Sequence, residues 1–308
     1  MMSADSHIRY IDRSGIDTEK YDACIQRSPY GLLYASSAWL DAMARHWNAL
    51  VLGDYEFVMP LTWNKKWAFR YCYQPPLSLQ LGIFGHTPPT PPLIETFLEE
   101  TQNRFRFAEI FLNHTNTLPG LRLHHNYELD LRHPHTILAQ NYKTDLRKNL
   151  RRSHRFMLLY KPGQDPAEAI ALHTRQYGDL TPHVRKKDYD NFLAYCLLAE
   201  KRQECILRNV STEDGRLLSS ALLLRYKKRL HLLMTTTPPE GRKTQANHFL
   251  LDNIIAEFAD QDLTLDFVGS DLPGIAHFYE NFGAIDRPYC YYRFNNLPWP
   301  LRLLKSRQ

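Results

Sequence analysis

The residues best able to do chemistry gather between Pro239 and Ala284. Asp266 lies inside the apolar run Leu263-Thr264-Leu265-Asp266-Phe267. A carboxylate in such surroundings should have a raised pKa and suits a general base. It suits equally well a structural acceptor for backbone donors of the following turn. Tyr279, with Tyr291 or Tyr292, is a candidate acid for a leaving group; packing is the alternative role. Upstream, the basic loop Gly241-Arg242-Lys243-Thr244 opens a helix. Such a junction can hold an anionic donor, or it can simply cap the helix.

Two further groups stand apart. Over Thr136 to Arg155 the helical spacing puts Leu138, Tyr142, Leu146 and Leu150 on one face. Lys143, Arg147, Lys148, Arg151, Arg152 and Arg155 share the other, opposed only by Asp145. This face reads as a site for phosphates of an acceptor, Lys143, Arg147 and Arg151 foremost, or as a solvated surface. In the first half, Tyr73-Gln74-Pro75-Pro76 and Gln80 with Gly82 could wall a pocket for a polar acceptor, or form a kinked edge strand.

The elements that must position these residues follow from pattern. A strand is expected at His7 to Ile11. Helices follow from Asp17 and from Ser36 through Trp47. Strands come next at Ala49 to Leu52, Phe57 to Thr62 and Phe69 to Tyr73. A helix over Leu93 to Phe105 leads to strands at Ala108 to Leu112 and Tyr127 to Leu131. His133-Pro134-His135 stops any helix from running across and is read as a domain boundary. Beyond it come one helix to Arg155 and helices over Gln164 to Tyr177 and Asp188 to Ala199. Strands follow at Gln203 to Asn209, Leu217 to Tyr226 and Arg229 to Thr235. The helix from Phe249, strand 263–267, a helix closed by Gly283 and a strand at Tyr289 to Phe294 complete the order. The division expected is a lead-in 1–16, domains 17–134 and 135–296, and a basic tail 297–308.

The 308 residues, 44% hydrophobic and 23% charged, have the composition of a globular chain with room for two cores. A net charge of +5 permits an anionic partner. Five cysteines without CxxC spacing read as free thiols of a reducing compartment. With no signal peptide and no span of about 18 apolar residues, a cytoplasmic protein is expected. The paired histidines lack partners at ligand spacing, so no metal is expected. P-loop, G-x-S-x-G, H-E-x-x-H and dinucleotide motifs are absent.

Asp266-Phe-Val-Gly-Ser270, Gly274-Ile-Ala-His-Phe-Tyr279 and Phe282-Gly283-Ala284 resemble the closing segment of FemAB/FemX-like proteins. The Tyr73 to Phe84 segment resembles their first-domain signature. The resemblance implies a mixed α/β (α+β) fold of two GNAT-like domains in tandem, with mixed, largely antiparallel sheets. It implies acyl or aminoacyl transfer to an amine, with no tightly bound cofactor. The donor would be acyl-CoA or an aminoacyl-tRNA, and the acceptor a small or nucleotide-linked anion. Gly241, Arg242, Lys243, Thr244 and Asn247 would hold the donor. The family's phosphate loop follows a Gln/Arg-x-x-Gly-x-Gly/Ala pattern. Here only Gly241 is present and Gln245-Ala246-Asn247 replace the later glycines, which points away from CoA and toward tRNA. A CoA-dependent N-acyltransferase and a non-catalytic RNA or nucleotide-sugar binder are the other readings. If the basic face binds phosphates, reversing charge at Arg147 and Arg151 abolishes anion binding; unchanged binding of every anionic ligand, measured by titration calorimetry, refutes it.

Overall fold

The structure, a computed structural model, describes residues 7–304 apart from Trp67. The chain begins β1 (Ile8–Asp12), α1 (Thr18–Arg27), α2 (Ser37–Met43), β2 (His46–Leu52), β3 (Phe57–Lys66), β4 (Phe69–Cys72) and β5 (Phe84–Gly85). It continues α3 (Pro91–Arg104), β6 (Phe107–Phe111), β7 (Arg122–His124), β8 (Tyr127–Asp130), α4 (His135–Leu138), α5 (Thr144–Ser153) and β9 (Leu159–Pro162). Then come α6 (Pro166–Tyr177), α7 (Lys186–Lys201), β10 (Cys205–Ser211), β11 (Leu217–Tyr226), β12 (Arg229–Thr236) and α8 (Pro239–Lys243). Last are α9 (Ala246–Phe258), β13 (Thr264–Asp266), α10 (Pro273–Glu280), β14 (Ile285–Asp286), β15 (Tyr289–Asn295) and α11 (Leu301–Leu304). No described helix is long and apolar enough to cross a membrane.

Two compact units result, each with one sheet. The first joins residues up to His124 with those from Pro288 onward; the second is His125–Arg287. The strand orders are β1-β2-β3-β4-β6-β15-β7 and β14-β8-β13-β12-β11-β10-β9. Read from β9, the second order repeats the first: four antiparallel neighbours, then a parallel step across a helical connection (β4 to β6, β12 to β13). This is a tandem α/β architecture with mixed, largely antiparallel sheets.

The division departs from the linear one expected. Pro134 is only the N-cap of α4, and β8, before it, already pairs with β13 in the second sheet. The final strand β15, expected in the second domain, pairs with β6 and β7 in the first sheet. The lead-in supplies β1, paired along β2. Residues 1–6 and the tail cations Lys305 and Arg307 lie outside the described residues.

In the first unit, Asp17 accepts from the Lys20 N–H and Ser36 from the Trp39 N–H, so α1 and α2 start where the sequence places their caps. Trp39, Tyr21, Tyr34 and Phe97 fill the core. Trp47 was expected on α2. Extended backbone at Ala44 ends that helix, and Trp47 lies in β2 with its indole N–H on Asp41 (2.8 Å).

In the second unit, Leu146, Leu150, Leu250, Ile254, Leu265 and Phe267 are buried together. The expected long helix is broken. Lys143 is extended (φ −69°, ψ 159°), and its N–H donates to the Asn281 carbonyl, so α5 starts at Thr144. Tyr142, at the break, stays buried and donates its hydroxyl to Asp252 (2.9 Å).

The middle of this sheet holds a buried charge cluster. Arg229 of β12 donates to Asp266 of β13 (3.0 Å) and to Glu128 of β8 (2.6 Å). His231 Nδ1 is 3.5 Å from Asp266. Burial alone would push the Asp266 carboxyl up; the His231 hydrogen bond and the Arg229 charge outweigh it and hold the carboxyl well below its ordinary range. Burial pushes the His231 imidazole down. Both groups therefore bind fewer protons folded than unfolded. Their stabilising contribution is full above the ordinary histidine value, and it is lost as pH falls through the histidine and then the carboxylate range. Arg229→Met should cost about 3–5 kcal/mol, read as a lower urea midpoint, because the buried Asp266 and the partly buried Glu128 lose their cation. It should also flatten the carboxylate part of the acid denaturation profile; an unchanged midpoint and profile would exclude the cluster as a stabilising element.

Candidate functional site

The parallel pairing of β12 and β13 is short. It runs from Arg229 beside Thr264 to His231 beside Asp266; from there to Thr236 β12 keeps only its pairing with β11. The chain after β13 is drawn toward β8: Phe267 donates its N–H to the Tyr127 carbonyl and Ser270 to that of His125. Beyond His231 the two strands therefore part. Leu222 pairs with Met234 but Leu223 with Leu232, so Leu233 is the extra residue of a bulge where β12 becomes open.

A cavity of about 710 Å³ lies at the end of β12. Its walls are Thr235 and Thr237 at the end of β12, Gly241 and Arg242 of α8, and Gln245, Asn247 and His248 at the start of α9. His173 and Tyr177 of α6, Leu180 and Thr181 beyond it, and Gly274, Ile275, Phe278 and Tyr279 of α10 complete them. Every lining residue belongs to the second unit.

The segment expected as a polar loop is the short helix α8. Gly241 within it is buried against β11: a Cβ there would lie 1.8 Å from the Leu218 carbonyl oxygen. Its lack of a side chain serves this close approach. Arg242 is fixed along the cavity wall, donating to the Thr237 carbonyl (3.3 Å) and the Tyr177 hydroxyl (3.4 Å). Lys243 is exposed and outside the lining, and Thr244 turns its hydroxyl back to the Gly241 carbonyl (3.0 Å). Of the expected donor-binding set, Gly241, Arg242 and Asn247 meet at the cavity.

Gln245 is left-handed, with φ +61° and ψ +28°. It is one of the residues read as replacing the family's later glycines, and it keeps the backbone turn that glycine would allow. No side chain caps α9, so the N–H groups of its first turn are left for a ligand.

Asp266 does not have the raised pKa expected of a base. Besides its ion pair it accepts from the Val268 N–H (2.9 Å), the structural alternative, and it is absent from the cavity lining. Tyr279 does line the cavity, stacked on Phe267 with centroids 4.5 Å apart. Burial, then the Asp266 charge, push its phenol up to about 12. It keeps its proton at neutral pH and can give it to a stronger base. Tyr291 and Tyr292 belong to β15, in the first unit.

Sequence reasoning missed two histidines here. Burial takes His248 down to about 4; the amide of Asn149 donates to its Nε2 (3.2 Å), leaving the ring proton on Nδ1. Burial also lowers His173, whose Nδ1 is 3.1 Å from the Thr236 hydroxyl. The spacing of His173 and Tyr177, one turn apart at the end of a helix, was the available signal.

Tyr73, Gln74 and Gln80 lie in the first unit, and the first two are spent on its own backbone. The Tyr73 hydroxyl accepts from the Arg45 N–H (3.0 Å), while Gln74 bonds the Ser78 carbonyl (3.1 Å) and the Phe111 N–H (3.4 Å). Gln80 is buried. On the basic face, Lys143 pairs with Glu280 (3.2 Å) and Lys148 with Asp145 (3.6 Å). Arg147 and Arg151 cap carbonyls of Gln140 and Arg147.

Comparison with known proteins agrees with this geometry. Residues 140–278 match the acetyltransferase (GNAT) domain family, which spans most of the second unit. The chain as a whole has the fold of FemAB/FemX-like tandem GNAT proteins. The crystal structure of FemX covers 97% of this chain and 100% of its own, at TM-score 0.67 and 13% identity. A tandem GNAT protein from the clavulanic acid biosynthesis pathway covers 95% and 99%, at TM-score 0.53 and 11% identity. L-PGS from Bacillus licheniformis covers 95% and 98%, at TM-score 0.52 and 12% identity. None of the curated proteins compared by sequence matches the chain.

Substitutions at two positions test the loop. Gly241→Ala forces α8 off β11 and should lower Tm by about 5–10 °C. Gln245→Gly removes a left-handed cost of about 1 kcal/mol and should leave Tm unchanged or raised, whereas Gln245→Ile should lower it. Melting curves decide both.

Proposed function

We propose that the protein transfers an acyl or aminoacyl group to an amine, with the donor's carbonyl held in the cavity where β12 parts from β13. That cavity is the observation that carries the reading. It has a strand edge without a strand partner, uncapped helix donors, a fixed arginine and a protonated tyrosine around one space.

The chemistry follows from what each group can do. The N–H groups on the open edge of β12 can donate to the carbonyl oxygen and stabilise the charge it gains as the amine adds. A C–N bond forms, and the C–S or C–O bond to the leaving group breaks. Tyr279 gives its proton to the departing sulfur or oxygen and is restored by the proton the attacking amine sheds. The neutral His173 and His248 keep positive charge away from that amine, which must be uncharged to attack. Most of the remaining task is positioning.

The loop favours acyl-CoA over aminoacyl-tRNA as donor. Gln245 holds the left-handed turn despite lacking glycine's freedom, and the free N–H groups of α9 beside Arg242 suit a diphosphate. The acceptor remains the small or nucleotide-linked anionic amine that the family resemblance implies.

Acyl-CoA should raise Tm and uncharged or charged tRNA should not; stabilisation by aminoacyl-tRNA alone would reverse the donor assignment. With an accepted donor, Tyr279→Phe should lower kcat by about 10²-fold with KM little changed. Full activity in that variant would remove Tyr279 from the reaction.

A further inference from the structure

The basic helix face carries more than phosphate chemistry requires. After the ion pairs of Lys143 and Lys148, four arginines remain: Arg147, Arg151, Arg152 and Arg155. Among the described residues, no carboxylate lies in ion-pair range of any of them. Where α5 ends, a tight turn (His154–Phe156) runs into Met157, left-handed at φ +46°. There the surface changes character. Phe156 is 43% exposed, Met157 67% and Leu159 45%, three large apolar side chains within four residues.

Their outward direction is fixed by what faces inward. Leu158 packs on the core. The Tyr160 hydroxyl donates to Glu257, which also holds Arg208, and this ties β9 to α9. Leu159 and Lys161 alternate with these residues and face solvent. β9 pairs with β10 alone, at the end of its sheet. A row of arginines thus leads directly into a protruding apolar knuckle.

We propose that this segment, Arg147 to Lys161, docks the protein on an anionic lipid surface. The arginines would meet headgroup phosphates, while Met157, Leu159 and Phe156 enter the boundary with the acyl chains. Nucleic acid would use the cations but gives Met157 and Leu159 no partner, whereas a bilayer interface uses both at once. The same helix reaches the reaction cavity through Asn149 and His248, so docking brings the cavity near the lipid surface. The inference stands on surface chemistry and does not depend on the donor.

The test is sedimentation of the full chain with vesicles of phosphatidylcholine alone or with about one third phosphatidylglycerol, at low and physiological salt. Binding is expected only to the anionic vesicles, weakening with salt. Arg152→Gln with Arg155→Gln should reduce partitioning about 25-fold, some fivefold per charge. Met157→Asn with Leu159→Thr should reduce it about tenfold or more. Asparagine tolerates the left-handed turn and threonine suits a strand, so melting curves should be unchanged, which separates lost docking from lost folding. No sedimentation with anionic vesicles overturns the proposal. So does binding that the arginine pair abolishes and the apolar pair leaves intact. Structured RNA, run in parallel, should bind no better than it does to the arginine variant; tight RNA binding indifferent to Met157 and Leu159 would reassign the face.

Discussion

The second unit depends on one buried cation. Arg229 bridges carboxylates from two neighbouring strands, and the register that brings Asp266 beside His231 and Glu128 beside Asp266 is the register of β12, β13 and β8. A slip by one residue would turn every side chain of a strand to the other face and strand a buried charge. The cluster also marks where the parallel pairing stops. Above it the chain after Asp266 is taken up by β8, and the space left beside β12 is the cavity. The acidic residue most conspicuous in the sequence thus shapes the site from beneath it.

What remains in the cavity is chemically consistent. Its titratable residues are mostly neutral: a phenol that holds its proton and two imidazoles in their uncharged form. Charge enters through Arg242 at the wall and the unpaired N–H groups of α9. Such a site suits reactions in which charge appears on one oxygen and vanishes again, because fixed dipoles need not reorganise when it does.

Much of this was legible in the chain. Helix and strand positions followed from periodicity, and β11, β12, α9 and the left-handed Gly283 (φ +80°) came out where the pattern put them. The family resemblance identified the tandem fold. The misses have local causes. Asp266 was read as isolated because its partner Arg229 is 37 residues away and Glu128 farther still, and no pattern announces such a pairing. The break at Lys143 is set by a bond to Asn281, beyond any helical window. Gln245 was read as the loss of a glycine, but a side chain type does not report backbone conformation when tertiary packing overrides preference. The domain boundary failed because proline speaks only for its neighbours.

The strand orders carry a last consequence. In each sheet the place next to β6 or β13 is filled by a strand, β15 or β8, that the sequence puts beside the other half of the chain. The first sheet therefore lacks a member until the whole of the second unit has been synthesised. Until then β6 offers an open, hydrogen-bond-hungry margin on the side β15 will occupy, the kind of margin that invites wrong partners. The two halves resemble a duplication in outline, but they are bound to mature together: the earlier half is written first and finished last.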